Sequence, residues 1–502
     1  MSNLKIGWAE RDISIDKPIN IFGQFHMRIS EGIMDPITVN ALVIDNDEDI
    51  VVFLSADLVM IRSYLLEEVR EKVSKINPDI PVEKILMNAT HTHTGASYYS
   101  DSGWDDSAVN IQVPLEDVNI VTGDEYRAFL SDQAAEAVCE AFDKRAPGGI
   151  AYGYGFAVVG HSRRVVFFDD LSKRTGATKN SLVGMNGHAQ MYGSTKDPNF
   201  SHYEAGSDPF INILYTFDSD NKLTGALINV PCPSQVSMHE YMLSADFWHD
   251  VRLALRKEHG DIFILPQTAA SGDLSPIILH YRKAQERRFK LKYGELNGNM
   301  ATRKDIAERI SVAFNEVLSW AGKDIKTQLP LKHIVKTIHL SKRLITDAEY
   351  ESAKSGLTGL EKKEFKTDGT PLERLHANSI LVAGRCRFIG VIKRYETQKD
   401  EPKQPMELHV IRIGDIAFAS NRFELYMDYQ HRIQARSPFE QTFIVQLAGQ
   451  RSCNNGTYLC TERGEWGKGY SAGMFCNEVS PQGGQELVEE TLNVLNELHK
   501  GE

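Results

Sequence analysis

The chain has 502 residues, with 56 Lys and Arg against 68 Asp and Glu, a formal net charge of −12 and 42% hydrophobic residues. That acidic balance argues against nucleic acid as a partner, because phosphate binding needs a clustered basic surface. No apolar run approaches the roughly eighteen residues that span a bilayer, and six cysteines without a C-x-x-C pair are too sparse for a disulfide framework.

In chain order, the start "MSNLKIGWAERDISI" lacks the basic and apolar regions of a signal peptide, and with the cysteine usage this gives the expectation of a reduced, cytoplasmic protein. "TVNALVIDN" and "DIVVFLSADLVMI" read as strands, "YLLEEVREKVSKI" as an amphipathic helix, "EKILMNATHTH" as a strand and "DEYRAFLSDQAAEAVCEAF" as a second long helix. This order predicts an α/β fold with a partly parallel sheet. A loop rich in Gly, Asn, Ser and Asp covers 185–210, and long loops of that kind are often functional. "NILYTFDSDNKLTGALINV" and "MELHVIRIGDIAFASN" read as hairpins, and "GGQELVEETLNVLNELHK" as a closing amphipathic helix. The basic stretch 281–294 reads as a helix with a solvated face. We expect one catalytic domain over 1–502, with a helical insertion at about 282–376.

Four stretches carry candidate chemistry. "ILMNATHTHTGAS" places His91 and His93 two apart at a strand end, where i and i+2 share a face. "AASGDLSPI" sets Ser275 in a Gly-containing loop, "FASNRFELY" puts Glu424 just after a hairpin strand, and "CNNGTYLCTERGEW" carries Tyr458 in an Asn/Gly-rich loop. Taken singly, each reads as an ordinary turn, helix-start or packed residue.

Taken together, "THTHTG", "SGDLSP", the Glu after the late hairpin and the Tyr in "NNGTYLCT" resemble the catalytic domain of neutral/alkaline (non-lysosomal) ceramidases. The resemblance runs from "GWAERDIS" through "SADLVMI" to the closing helix, and leaves no room for the family's C-terminal immunoglobulin-like domain. It implies a large mixed-sheet α/β catalytic domain with helical insertions. It also implies one Zn2+ per chain, with His91, Glu424 and Tyr458 as ligands. By the same resemblance His93 is the proton-handling residue, Ser275 the serine beside the metal, and Arg163 in "GHSRRVV" the arginine that contacts substrate. Zinc takes N and O donors and keeps one position open for water in catalytic sites. An adjacent imidazole can then move the water's proton.

The family's second histidine ligand lies in an N-W-F-x-x-H-x-T-S-M stretch, and here "NVPCPSQVSM" puts Ser234 at its place. His239, five residues on, is the expected replacement, with Cys232 and His93 as the other candidates; Ser244 is then expected to cap the next helix. The pocket candidates are polar: Gln24, His26 and Arg28 in "GQFHMRIS", and His202, Glu204 and Asp208 in "SHYEAGSD". No amphipathic flap for lifting a lipid is evident. The expectation is therefore an amide hydrolase for a small polar, sugar-like or N-acylated substrate, without stable membrane association. Ester, lactone or glycoside cleavage and a non-catalytic binding protein are the alternatives, and homo-oligomerisation is left open.

Overall fold

The computed structural model describes residues 3–99, 113–115, 118–177, 184–451 and 458–501. Cys453 and the Asn/Gly run immediately before Tyr458 lie outside the described residues.

Two sheets stack face to face between helical layers. The larger has eight strands in the order Phe263–Thr268, Leu223–Val230, Phe210–Asp218, Ala146–Phe156, Lys5–Asp12, Thr38–Asp45, Ile50–Ala56, Ile85–Ala89. Its two outermost pairs are parallel and the inner ones antiparallel. The smaller sheet runs Leu331–Ser341, Lys403–Ile413, Ile416–Ser420, Gln441–Val445, with the last pair parallel.

Period-two alternation decides which side chain goes where. Along Thr38–Asp45, Leu42 and Ile44 enter the space between the sheets, where they join Trp8, Phe53, Ile413 and Phe418. Val39, Ala41 and Val43 face the other way, into a core shared with helices Ser63–Ile76, Gly123–Asp143, Phe247–His259 and Gly298–Ala321. Phe53 and Phe418 meet across the sheets with ring centroids 4.9 Å apart. The smaller sheet's outer face packs on the closing helix Pro481–Lys500 through Leu487, Leu492 and Leu495. Each such fully buried Leu, Ile or Phe contributes about 1.5–3 kcal/mol relative to an exposed one. Strands such as Thr38–Asp45, Ile50–Ala56, Ile85–Ala89 and Ile416–Ser420 are buried on both faces, which is why they read as near-continuous apolar runs.

Both expected hairpins form, closing at Asn221 (φ 60°) and Gly414 (φ 62°). The expected insertion over 282–376 is not uniformly helical. Helices Arg282–Tyr293 and Gly298–Ala321 are followed by the strand Leu331–Ser341, which pairs along its whole length with Lys403–Ile413. Two further helices follow, Asp347–Glu361 and Pro371–Thr397, so the helical segment ends well beyond 376. Each opens with a complete capping box, at Thr346 and Thr370. Ser244 does not cap the helix Phe247–His259: Asp246 does, while the Ser244 hydroxyl donates to the Asp35 carboxylate, itself paired with the buried Arg303. Among the described residues no helix is long and apolar enough to cross a membrane, and the five described cysteines are free.

Candidate active site

The site forms where several strands end. The strand carrying "ILMNA" stops at Ala89, and His91 takes a left-handed conformation (φ 62°). The turn, rather than the pleat, brings His91 and His93 together, their Nε2 atoms 3.3 Å apart. The strands Leu223–Val230 and Phe263–Thr268 end beside it and lead to Gln235 and Gly272; Ile416–Ser420 leads to Glu424. Glu424 and Tyr458 pair in register on the short parallel strands Glu424–Leu425 and Tyr458–Leu459. The loop carrying Ser271 and Gly272 presses against Glu424 so closely that a Cβ on Gly272 would stand 2.3 Å from the Glu424 carbonyl oxygen. Gln446 fastens this corner: its Oε1 accepts from the backbone N–H groups of Leu425 and Ser271, and its Nε2 donates to the Ser271 hydroxyl.

Hydrogen bonds fix the state of each polar group. His91 Nδ1 stands 2.7 Å from the Val59 carbonyl oxygen, which orients the ring, and its Nε2 stands 3.3 Å from Glu424 Oε2. Gln235 Oε1 accepts from Arg163 Nη1 at 3.1 Å, and its Nε2 donates to His93 Nε2 at 2.8 Å. Burial, then His91, Arg28 and Arg163, hold His93 well below its ordinary range, so it is neutral at pH 7. Burial pushes Glu424 upward, but His91 and Arg163 outweigh it and leave the carboxyl lowered and ionised. Burial raises the Tyr458 phenol, and Glu424 adds to that against the opposing pull of Arg163. Arg163 Nη2 donates to Tyr458 Oη at 3.2 Å and to the Gly272 carbonyl at 2.9 Å.

These groups open on a cavity of ≈ 450 Å³. His91, His93, Arg163, Glu424 and Tyr458 all line it. His239 lines it too, but as an exposed residue, and it forms no ligand group with His91 and Glu424. Cys232 is buried, its thiol directed to the Pro233 carbonyl, and the Ser234 hydroxyl donates to the Thr90 carbonyl. Ser275 does not line the cavity; its Oγ stands 3.3 Å from Tyr192 Oη, and Tyr192 is the hydroxyl that does.

Of the six expected substrate contacts, Gln24 alone lines the cavity. Arg28 is buried and spends its guanidinium on the carbonyls of Phe22, His93, Met238 and Glu240. The His26 ring lies on His376, centroids 4.2 Å apart, and burial lowers its pKa to about 4. His202 is exposed and bonded to Ser201, Glu204 pairs with the buried Arg164, and Asp208 accepts from Gln430. The alternating polar residues of 201–208 therefore serve packing between strands. Gln235 and Tyr192 were not foreseen. Gln235 sits one residue past the place of the family's histidine, and Tyr192 lies within the loop region marked at 185–210.

Among the described residues, no group of three or more His, Cys, Asp and Glu side chains is arranged to hold a metal ion. The neighbouring oxygen donor is the Tyr458 phenol, which the strand register sets beside Glu424. The donor types fit zinc: an imidazole nitrogen, an ionised carboxylate and a phenol converge on one corner of the cavity. The 3.3 Å separation of His91 Nε2 and Glu424 Oε2 equals the edge of about 3.3 Å expected for zinc's tetrahedral ligands.

No family model matches the chain, and no curated protein matches it. Among solved structures the chain is similar over its whole length to neutral ceramidase from Pseudomonas aeruginosa, with a TM-score of 0.65, 15% identity and 75% of that chain covered. It is similar in the same way to a ceramidase complexed with C2, with a TM-score of 0.64, 15% identity and 76% covered. The chain has the ceramidase fold, a large mixed-sheet α/β architecture with helical additions.

Proposed function

We propose that this protein is a zinc-dependent hydrolase cleaving an amide bond in a small N-acylated, polar substrate. The observation that carries the reading is the convergence of His91 Nε2 and Glu424 Oε2 beside Tyr458, on a ceramidase fold. His91, Glu424 and Tyr458 would hold the metal, three protein ligands being usual for catalytic zinc. Zinc there supplies an acidified water and polarises the scissile carbonyl.

The chain's own residues do the rest. His93 is neutral, its Nε2 lone pair engaged by Gln235; released from that bond, Nε2 would accept the attacking water's proton and return it to the leaving amine. Arg163, anchored on the Gly272 carbonyl and Gln235, directs positive charge toward Tyr458 and Glu424, where an oxyanion develops. Tyr192 lines the same space with its O–H donating to Ser275 Oγ, and would turn that proton to the oxyanion. The sugar-directed alternative rested on His202, Glu204 and Asp208, which lie outside the cavity, so the amide reading is preferred. The five described cysteines are buried and form no disulfide with one another, which suits a reducing compartment and the cytoplasmic reading.

A panel of N-acylated amines, amino acids and amino sugars, with matched esters, tests this reading on zinc-reconstituted and chelator-treated protein. Amide hydrolysis abolished by chelation and restored by zinc supports it. Turnover of none of the panel by zinc-loaded protein would leave a binding protein on this fold.

A further inference from the structure

Arg387 belongs to the helix Pro371–Thr397 and lines the same cavity as His91 and Glu424. Its guanidinium lies between two rings, 5.1 Å from the Phe25 centroid and 5.0 Å from that of Phe475. Its one hydrogen bond is a weak contact to Cys476 Sγ at 3.3 Å, and its Nε is buried without an acceptor. Among the described residues it has no carboxylate partner.

The surroundings leave a positive excess. Four arginines line the cavity, Arg62, Arg163, Arg387 and Arg394, against Glu424 and Glu478. Glu424 faces Arg163, and Glu478 is engaged by Arg422 and Gln404. Arg394 donates to the carbonyls of Met474 and Asn477. Arg387, unlike Arg163 and Arg394, donates to no oxygen among the described residues and has the thiol contact alone. The two rings hold the guanidinium at the cavity wall, and its planar fork suits bidentate recognition of a carboxylate. A buried donor without an acceptor is otherwise disfavoured, and such donors call for an explanation in a ligand.

We infer that Arg387 is an anion receptor and that the substrate of the site carries a carboxylate, which docks edge-on between Phe25 and Phe475. The inference rests on the proposed amide hydrolysis for the remainder of the substrate. The Phe25 ring stands 5.6 Å from that of Tyr470, and Tyr470 5.5 Å from that of Tyr458. A carboxylate on Arg387 therefore lies along the wall that leads to the reactive corner, and an N-acylated amino acid is the substrate class that combines both groups.

The test measures binding separately from turnover. N-octanoylglycine and N-octanoyl-6-aminohexanoate, which differ in spacer length, are each titrated calorimetrically against their neutral carboxamides. The proteins are zinc-loaded wild type, Arg387→Met and Arg387→Lys. Wild type is expected to prefer at least one acid over its carboxamide by on the order of tenfold to a hundredfold. Arg387→Met is expected to abolish that preference while binding the carboxamide as before, and Arg387→Lys, which keeps charge without the fork, to retain part of it. A merely structural role would weaken acid and carboxamide alike. Equal binding of acids and carboxamides by wild type overturns the inference, as does an undiminished preference in Arg387→Met; if Arg387→Met does not fold, wild type and Arg387→Lys decide. Hydrolysis is followed in the same samples. Arg387-dependent acid binding without turnover would sink the hydrolase reading and keep the receptor.

Discussion

Glu424 and Tyr458 are register partners on two parallel strands of two residues each, and this pairing sets a carboxylate beside a phenol at one wall of the cavity. His91 stands beside them, its Nε2 3.3 Å from Glu424 Oε2 and its ring oriented by the Val59 carbonyl. His239 is exposed at the cavity wall, and the proposed zinc site does not use it.

Metal affinity should follow that division. By chelator competition, His91→Ala and Glu424→Gln are each expected to weaken zinc binding by a factor of ten to a hundred or more, in line with roughly that loss for removing even an outer-shell partner. His239→Ala and Cys232→Ser are expected to bind zinc like the parent. Loss of zinc in either of the last two, with the fold intact, would reassign the ligand set.

Gln235 couples His93 to Arg163. In Gln235→Leu, His93 Nε2 loses its donor and Arg163 Nη1 its acceptor, both in a buried site. Turnover is expected to fall by roughly tenfold to a hundredfold with zinc content unchanged. Steady-state kinetics alongside metal analysis checks this; an unchanged kcat would remove Gln235 from the machinery.

Tyr192 stands between Ser275 and the cavity, so Tyr192→Phe should cost more turnover than Ser275→Ala. A loss on the order of a hundredfold is expected for the residue that meets the oxyanion, and a smaller one for the residue behind it. The reverse ranking would restore Ser275 to direct contact with substrate.

Acid stability should be governed away from the site. Arg70, Glu407, His409 and His333 form a buried chain, with Arg70 Nη2 2.8 Å from Glu407 and the two imidazoles 2.9 Å apart. Burial lowers both histidines from their ordinary 6.5, so below that pH the unfolded chain takes up protons that the folded protein refuses, and stability falls. Glu407, which burial would raise, is brought by His409 and Arg70 to about 2, so the stability it carries above 4.5 is lost as pH drops toward 2. Both act in the same direction. Urea-unfolding midpoints are expected to hold above pH 7 and to decline steadily below 6.5, with a shallower decline below 4.5 in Glu407→Gln. A midpoint flat from pH 7 to 4 would contradict this.

Much of the architecture was legible because strands such as Thr38–Asp45 and Ile50–Ala56 are buried on both faces, so apolar runs and Gly-Asp or Asp-Ser-Asp-Asn turns mark them without help from tertiary contacts. The strand Leu331–Ser341 was hidden because exposed positions such as Lys332, Lys336 and Thr337 interrupt its apolar pattern on a sheet edge. The helix Pro371–Thr397 was partly missed because it is buried on several sides, and its apolar residues trace no single stripe. At the site, residues fixed by short local motifs, such as His91 and His93, could be named. Gln235 and Arg387 could not, since their meaning comes from partners 72 residues away in one case and from two aromatic rings on separate segments in the other.

The most direct test of the central claim is anomalous scattering at the zinc edge from crystals of the reconstituted protein. The account predicts one strong peak per chain, bonded to His91 Nε2, the Glu424 carboxylate and the Tyr458 phenol, with a fourth position facing the cavity. No peak at that corner, or a peak held by His239 or Cys232, would contradict it.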